Sequence, residues 1–254
     1  MVDALYYIAC FIAMGLGLWW MKTLKRRQAT RAQPARAAEA APLGWTFEAD
    51  SSVMFTIERW RGCTAGLNWT LETLRGGGST EDGTRRSVAR LTRWHAELAL
   101  PVRGAACLLR EFESDAAEPL DEKDFAALGG FFGNLAKQAI GKVHALAFDV
   151  MFGPLGTGIA DIHALKPVDT ITPDRPDDRL IAGHAADAPR LEAALMAMGR
   201  TLDAAPLRHT SRLPSLLLQP QGIALCVKER LREMSDLSRL VDAGVAAARA
   251  AASK

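Results

Sequence analysis

The chain has 254 residues, of which 49% are hydrophobic and 24% charged, enough for one substantial folded domain or two small ones. Its formal charge is +2, but residues 22–36 hold six basic side chains and Asp3 one acidic side chain, which leaves −3 for residues 37–254. A folded part with this balance argues against a nucleic-acid-binding protein, which would carry its own basic face.

The first element is an apolar run of 18 uncharged residues, 4–21. As a helix it would be about 27 Å long, close to the roughly 30 Å hydrocarbon core of a bilayer. Tyr6 and Tyr7 lie near one end and Trp19 and Trp20 at the other, where amphipathic rings collect at membrane interfaces. The pattern predicts an uncleaved, single-pass transmembrane helix. The alternatives are a buried helix of a soluble protein and a cleaved signal peptide.

Basic residues follow the run and none precedes it, beginning with Lys22, Lys25, Arg26 and Arg27. Such residues stay on the cytoplasmic side of a span, and the Ala- and Arg-rich composition favours a bacterial source. We therefore expect a signal-anchor in the bacterial inner membrane, with the N-terminus outside and the C-terminal domain cytosolic. The same basic residues predict contact with anionic lipids of the inner leaflet.

Small residues recur at every fourth position of the apolar run, at Ala9, Ala13 and Gly17. Such a stripe lets a second membrane helix approach closely. It predicts helix packing against a membrane-protein partner or a second copy of this chain. The alternative is that small residues are simply common in membrane spans.

The segment after residues 1–21 is a basic, Ala- and Pro-containing linker over 22–43, with almost no bulky apolar residue. From residue 44 to 254 the pattern becomes that of a folded domain. Its first half predicts four strands joined as an antiparallel meander, because apolar and polar residues alternate there. These strands cover residues 53–60, 67–75, 88–100 and 105–113.

The second half of the domain mixes helices and strands. Apolar spacing predicts helices over 187–202, capped by Asp187 and with Gly199 near the end, and over 235–254, with Ser235 as a cap. A hairpin is predicted over 213–231, an irregular helix over 121–142 and a strand over 143–152. The predicted fold class is α+β: one transmembrane helix, then a soluble domain on a largely antiparallel sheet with several helices.

One face of the early sheet carries the candidate catalytic residues, Glu72, His95 and Glu97. Carboxylates with a histidine between them suit general acid–base catalysis. The predicted alternation adds Glu58, Asn68, Thr70 and Arg93 to this face. The alternative is an ordinary solvated sheet face, because no nucleophile motif accompanies the set.

Other motifs do not indicate a cofactor or a metal. The glycines at 153, 156 and 158 follow the spacing G-x-x-G-x-G without a lysine, so they predict a turn that needs permissive backbone angles rather than a phosphate loop. The scattered histidines and aspartates do not match metal-binding spacing. The cysteines are isolated, which predicts ordinary thiols.

The leading functional hypothesis is a membrane-anchored interaction or accessory module at the inner leaflet, since no catalytic motif is recognisable and a non-enzyme is favoured. The first alternative is a membrane-tethered enzyme whose site lies on the early sheet face. The second is a lipid-binding domain that uses Phe131 and Phe132.

Overall fold

The computed structural model describes residues 14–17, 19–20, 23, 33–51, 55–76, 90–110, 151–156, 178–182, 184–210 and 213–253. Their central element is one eight-stranded sheet in which every neighbouring pair is antiparallel. The order across the sheet is β1-β2-β3-β4-β8-β7-β5-β6. The strands are β1 (Thr46–Ser51), β2 (Phe55–Thr64), β3 (Leu67–Gly76), β4 (Arg90–Glu97), β5 (Ala106–Arg110), β6 (Asp178–Ala182), β7 (Ser215–Gln219) and β8 (Gly222–Val227).

The register of the sheet aligns large apolar side chains in a row across five strands. From β2 to β7, each residue of the row pairs with the next one. In order, they are Trp60, Leu71, Trp94, Leu225 and Leu216. All five side chains are fully buried. Because side chains alternate between the two faces of a strand, this row defines one apolar face of the sheet, which we call the helix face.

Two helices cover the helix face: α1 (Ala188–Ala204) and α2 (Met234–Ala252). They pack against each other and against the sheet. The predicted apolar stripe of α2 is confirmed, since Leu237, Leu240, Val241 and Ala248 are buried. These contacts form the larger of the two apolar clusters found among the described residues.

The opposite face of the sheet, here called the second face, is covered in part by residues 151–156. Phe152 and Leu155 pack there with Leu91, Leu217 and other apolar side chains from the strands. Gln219 also donates a hydrogen bond of 2.6 Å to the Leu155 carbonyl oxygen. The sheet thus lies between a pair of helices and a short covering segment.

The predicted meander is correct for β2, β3 and β4 but wrong for the strand after them. The β7–β8 hairpin lies between β4 and β5, and every residue of β7 and β8 is buried. A strand that is apolar on both sides is favoured in the middle of a sheet. The structure also adds β1, which the sequence analysis did not predict, as an edge strand beside β2.

Tight turns join β2 to β3 and β7 to β8. The β2–β3 connection consists of Ala65 and Gly66, whose φ angles are +54° and +80°. Two central residues with positive φ are typical of the type I′ hairpin turn. The predicted β7–β8 hairpin is confirmed, with Gln219 pairing with Gly222 at the turn.

Several predicted helix ends differ from the structure. Helix α1 continues past Gly199 to Ala204, and Glu233 rather than Ser235 is the N-cap of α2. Asp187 is the N-cap of α1 but makes no capping hydrogen bond. Its carboxylate instead accepts hydrogen bonds from the backbone N–H groups of Arg103 and Gly104.

The predicted strand over 143–152 ends in helical residues, since 151–152 are helical and Gly153–Leu155 form a 3-10 turn. The covering segment therefore turns over the sheet rather than extending along it. Residues 143–150, the helix predicted over 121–142, and the lipid-contact candidates Phe131 and Phe132 lie outside the described residues.

No helix in the described part of the chain is long and apolar enough to cross a membrane. This finding contradicts the predicted single-pass transmembrane helix over 4–21 and the signal-anchor assignment, because a span needs about 20 consecutive apolar residues in one helix. Within that run the structure describes only 14–17 and 19–20, where Gly17 is helical and Trp19 and Trp20 are exposed. The other interface and packing candidates lie outside the described residues: Tyr6, Tyr7, Ala9, Ala13, Lys22, Lys25, Arg26 and Arg27.

Part of the predicted linker contacts the folded domain. Residues 33–40 are helical and lead into a 3-10 turn over Ala41–Leu43. Ala40 is fully buried in the larger apolar cluster. Arg36 donates a hydrogen bond of 2.9 Å to the carbonyl oxygen of Arg232. These contacts link residues 33–43 to the loop that precedes α2.

Candidate functional site

Glu72 lies at the centre of an ion-pair network on the second face. The register places it directly opposite Arg59 on β2 and Arg93 on β4. Arg59 donates to one carboxylate oxygen at 2.5 Å and Arg93 to the other at 2.6 Å. Glu72 is only 3% exposed, so its two oxygens bind neighbouring strands rather than solvent.

The network also sets the protonation state of Glu72. Burial by itself would raise the pKa of this carboxyl, but the charge of Arg93 and the hydrogen bonds from Arg59 and Arg93 outweigh burial, so the pKa is lowered. An ionised carboxylate with both oxygens occupied is a weak proton acceptor. Glu72 therefore has the features of a structural charge rather than of a general base.

His95 lies on the same face, two residues after Arg93 on β4, and is 8% exposed. Its Nδ1 atom is buried without a hydrogen-bond partner. Burial lowers the pKa of His95, with Glu72 opposing the shift, so the ring favours its neutral form. Glu97 is exposed at the end of the strand. The three candidates share a face, but no hydrogen bond joins His95 to either carboxylate within the described residues.

The structure replaces one member of the predicted polar face. Glu58 pairs with Thr73, accepts a hydrogen bond of 3.1 Å from its hydroxyl, and therefore points to the helix face. Its neighbour Arg59 takes the position opposite Glu72. A shift of one residue along a strand moves a side chain to the other face, which is why the sequence pattern misplaced Glu58.

Arg93 is covered on its outer side by Gly153. A Cβ atom at Gly153 would lie 3.1 Å from the Arg93 Cζ, and the φ angle of Gly153 is +65°. The predicted turn with permissive backbone angles is thus confirmed at this glycine. Glu72 and Arg93 are thus covered by strands and by the covering segment, whereas Arg59 is 27% exposed; the burial of Glu72 supports a structural role.

A second group of charged residues forms a cleft near the start of β4. The cleft has a volume of about 260 Å³ and lies between the start of β4, the loop between β8 and α2, and the residues after α1. We call it the arginine cleft. It is lined by Arg90, His209, Glu229, Arg230, Arg232 and Glu233.

Thr92 holds the loop that forms one wall of the arginine cleft. Its hydroxyl donates to the Glu229 carbonyl oxygen and accepts from the Leu231 N–H, both at 2.8 Å. The same loop receives the hydrogen bond from Arg36 to Arg232. The backbone of this wall is therefore fixed by side chains distant in sequence.

The three arginines of the cleft differ in what they contact. Arg230 is paired with Glu58 at 2.9 Å. For the guanidinium groups of Arg90 and Arg232, the described residues provide no hydrogen-bond or ion-pair partner, and both residues are exposed. Both guanidinium groups therefore line the cleft without a partner from the described part of the chain.

His209 and Asp236 form a hydrogen-bonded pair beside the cleft. The His209 Nδ1 lies 2.8 Å from the Asp236 Oδ2. Asp236 is fully buried and also accepts from the backbone N–H groups of Arg208 and His209. Burial would raise the pKa of Asp236, but the hydrogen bonds from Arg208 and His209 and the charge of His209 outweigh burial and lower it. An ionised aspartate only accepts, so Nδ1 carries the proton and Nε2 is left for other contacts.

Sequence reasoning missed the His209–Asp236 pair. The two residues are 27 positions apart, and no local spacing connects them. The available signal was Asp236 in the first turn of a predicted helix, where an aspartate can bind backbone N–H groups.

The described residues indicate no metal site, and two of their three cysteines, Cys107 and Cys226, are buried, whereas Cys63 is exposed. Within the described residues no group of three or more His, Cys, Asp or Glu side chains could hold a metal ion. Cys107 and Cys226 are buried on the second face, and burial raises the pKa of each thiol to about 12. Thiols of this kind are unreactive at neutral pH.

Comparison with models of protein families, with curated proteins and with solved structures found no match for this chain. Functional inference therefore depends on the geometry of the two charged groups described above.

Proposed function

We propose that the protein is a non-enzymatic interaction module that binds a partner at the arginine cleft. The observation that carries this proposal is the pair of exposed guanidinium groups of Arg90 and Arg232, which have no side-chain partner within the described residues. Arginine presents a planar fork of donors that suits carboxylates and other planar acceptors. It is also enriched among the residues that dominate protein–protein binding energies.

The fixed backbone of the cleft supports binding. Thr92 and Arg36 hold the loop that carries Glu229 and Arg232. A surface that is already ordered loses less conformational entropy when a partner binds. The proposal concerns the described domain and does not depend on a transmembrane helix.

A double variant tests the interaction. The full chain and its Arg90→Ala/Arg232→Ala form would each be purified with an affinity tag from the organism that encodes the protein, and copurifying proteins would be quantified. We expect a stoichiometric partner that the double variant loses. The matched control is Arg249→Ala, which removes an exposed arginine in the last turn of α2, about 22 Å from the start of that helix. Equal recovery of all partners by the double variant would refute the proposal.

A second candidate function is favoured by one observation, the 2.8 Å hydrogen bond between His209 and Asp236. An aspartate that orients a histidine leaves Nε2 able to accept a proton from a substrate. His209 is 60% exposed at the cleft, so a substrate could reach it. The class would be an enzyme that uses His209 as general base and Asp236 as its positioning residue.

The two candidates are separated by complementation of a deletion strain. If the protein is an enzyme, His209→Ala should abolish complementation while partner recovery stays unchanged, and its melting temperature should fall only by the loss of the hydrogen bond to Asp236. If it is an interaction module, His209→Ala should complement and the Arg90→Ala/Arg232→Ala variant should not.

A further inference from the structure

The ligand class of the arginine cleft follows from its charges and size. We infer, on the basis of the proposed interaction function, that the cleft binds a carboxylate of an acidic peptide segment on a partner protein. Arg90 and Arg232 would bind the carboxylate, and Glu229 and Glu233 would accept N–H groups of the same peptide.

The two glutamates in the lining favour a singly charged ligand. The cleft holds three arginines and two glutamates, and the charge of Arg230 is already balanced by Glu58. A phosphate group with a charge near −2 would face two carboxylates, and like charges in contact are strongly unfavourable. A peptide carboxylate carries one charge, and its amide groups are donors that the glutamates can accept.

The volume of the cleft favours a small segment of chain. At about 260 Å³, it falls below the roughly 300–1,000 Å³ typical of sites for cofactors and drug-sized ligands. One or two amino-acid side chains fit such a space better than a nucleotide does. The rest of the peptide would lie on the rim, where His209 is exposed.

A peptide-binding measurement tests the assignment. The probe is a fluorescein-labelled peptide of alternating Glu and Gly, and its anisotropy is followed as the full-length protein is added. We expect Arg90→Ala and Arg232→Ala each to weaken binding about tenfold, the loss typical of one hydrogen bond to a charged group. The Arg249→Ala control should bind as the unmodified protein does.

Two further arms decide the ligand class. A peptide with Gln in place of Glu should bind about tenfold more weakly or worse. At matched ionic strength, acetate should displace the peptide at least as well as inorganic phosphate. Equal affinity for the Gln peptide, superior displacement by phosphate, or an equal loss in Arg249→Ala would each overturn the carboxylate assignment.

The results also separate this inference from the function on which it rests. If partner recovery depends on Arg90 and Arg232 but the peptides bind without selectivity for Glu, the carboxylate assignment fails and the interaction function stands. If neither partner recovery nor peptide binding responds to these substitutions, both fail.

Discussion

The indole ring of Trp94 occupies the space beside Gly244 on α2. A Cβ atom at Gly244 would lie 2.5 Å from two carbon atoms of that ring, which is closer than atoms can approach. Trp94 is fully buried at the centre of the apolar row of the helix face. The contact therefore sets how closely α2 approaches the sheet.

Replacing this glycine should destabilise the fold. Gly244→Ala forces the added methyl into the Trp94 ring, and overpacking of this kind costs about 1–3 kcal/mol. The control is Gly199→Ala in α1, where no atom lies within 4 Å of the new Cβ. That change should stabilise by about 0.5–1 kcal/mol, because alanine is the better helix former. Urea unfolding of both variants measures the difference, and a neutral Gly244→Ala would contradict the close contact.

The covering segment should depend on Gly153. Gly153→Ala meets the Arg93 guanidinium and also forces a side chain into a left-handed backbone conformation. Gly66→Ala imposes the backbone penalty alone, about 1–2 kcal/mol, since its Cβ would lie in open space. We expect Gly153→Ala to lower the free energy of unfolding by more than Gly66→Ala does. Equal decreases in the free energy of unfolding for the two variants would mean that the Arg93 side chain moves aside without an energetic penalty.

Glu72→Gln should be strongly destabilising because it leaves Arg59 and Arg93 without their shared carboxylate. Removing one member of a buried ion pair costs about 3–5 kcal/mol, and the lower end is expected because Arg59 is 27% exposed and can reach water. Glu97→Gln on the same face should change stability by less than about 0.5 kcal/mol. Chemical denaturation of both variants at pH 7 checks this.

The pH dependence of stability should also report on Glu72. Its pKa is lowered in the folded state, so its contribution is present above the ordinary glutamate pKa and disappears as the pH falls through the lowered folded value. Unfolding measured across the acidic range should therefore show a smaller loss of stability in Glu72→Gln than in the unmodified chain. The same slope in both proteins would exclude Glu72 as a source of acid sensitivity.

His95 should make the fold sensitive to mild acid. Burial lowers its folded pKa, so below the ordinary histidine pKa the unfolded chain takes up a proton that the folded chain resists. The free energy of unfolding should have its full value above that pKa and decrease as the pH falls below it. His95→Gln removes the titrating group and should flatten the dependence between pH 5 and pH 7. An unchanged slope would show that other groups carry it.

Thr92→Val should loosen the wall of the arginine cleft. The change keeps the side-chain shape but removes the hydroxyl that bonds Glu229 and Leu231, and it leaves the Leu231 N–H unsatisfied at a cost of about 1–3 kcal/mol. We expect lower stability together with weaker binding of the Glu peptide. Lower stability with unchanged peptide binding would mean that the loop keeps its position without Thr92.

The elements that the sequence predicted well are those whose formation depends on residues close together in the chain. Alternating residues indicated β2, β3 and β4, Pro220 and Gly222 indicated the β7–β8 hairpin, and helical spacing indicated α1 and α2. These patterns depend on neighbours within a few positions, so the amino-acid sequence carries them directly. The apolar run over 4–21 had the right length and flanks for a span, yet the described residues include no such helix.

The tertiary structure alone decided which of these elements are neighbours. Strand alternation could not determine that Arg59 rather than Glu58 faces Glu72, because that depends on pairing register. The insertion of β7 and β8 beside β4, the contact of His209 with Asp236, and the position of Thr92 against the loop before α2 all join residues far apart in sequence. Such contacts depend on how the strands and helices pack in three dimensions, so the arginine cleft became visible only in the folded chain.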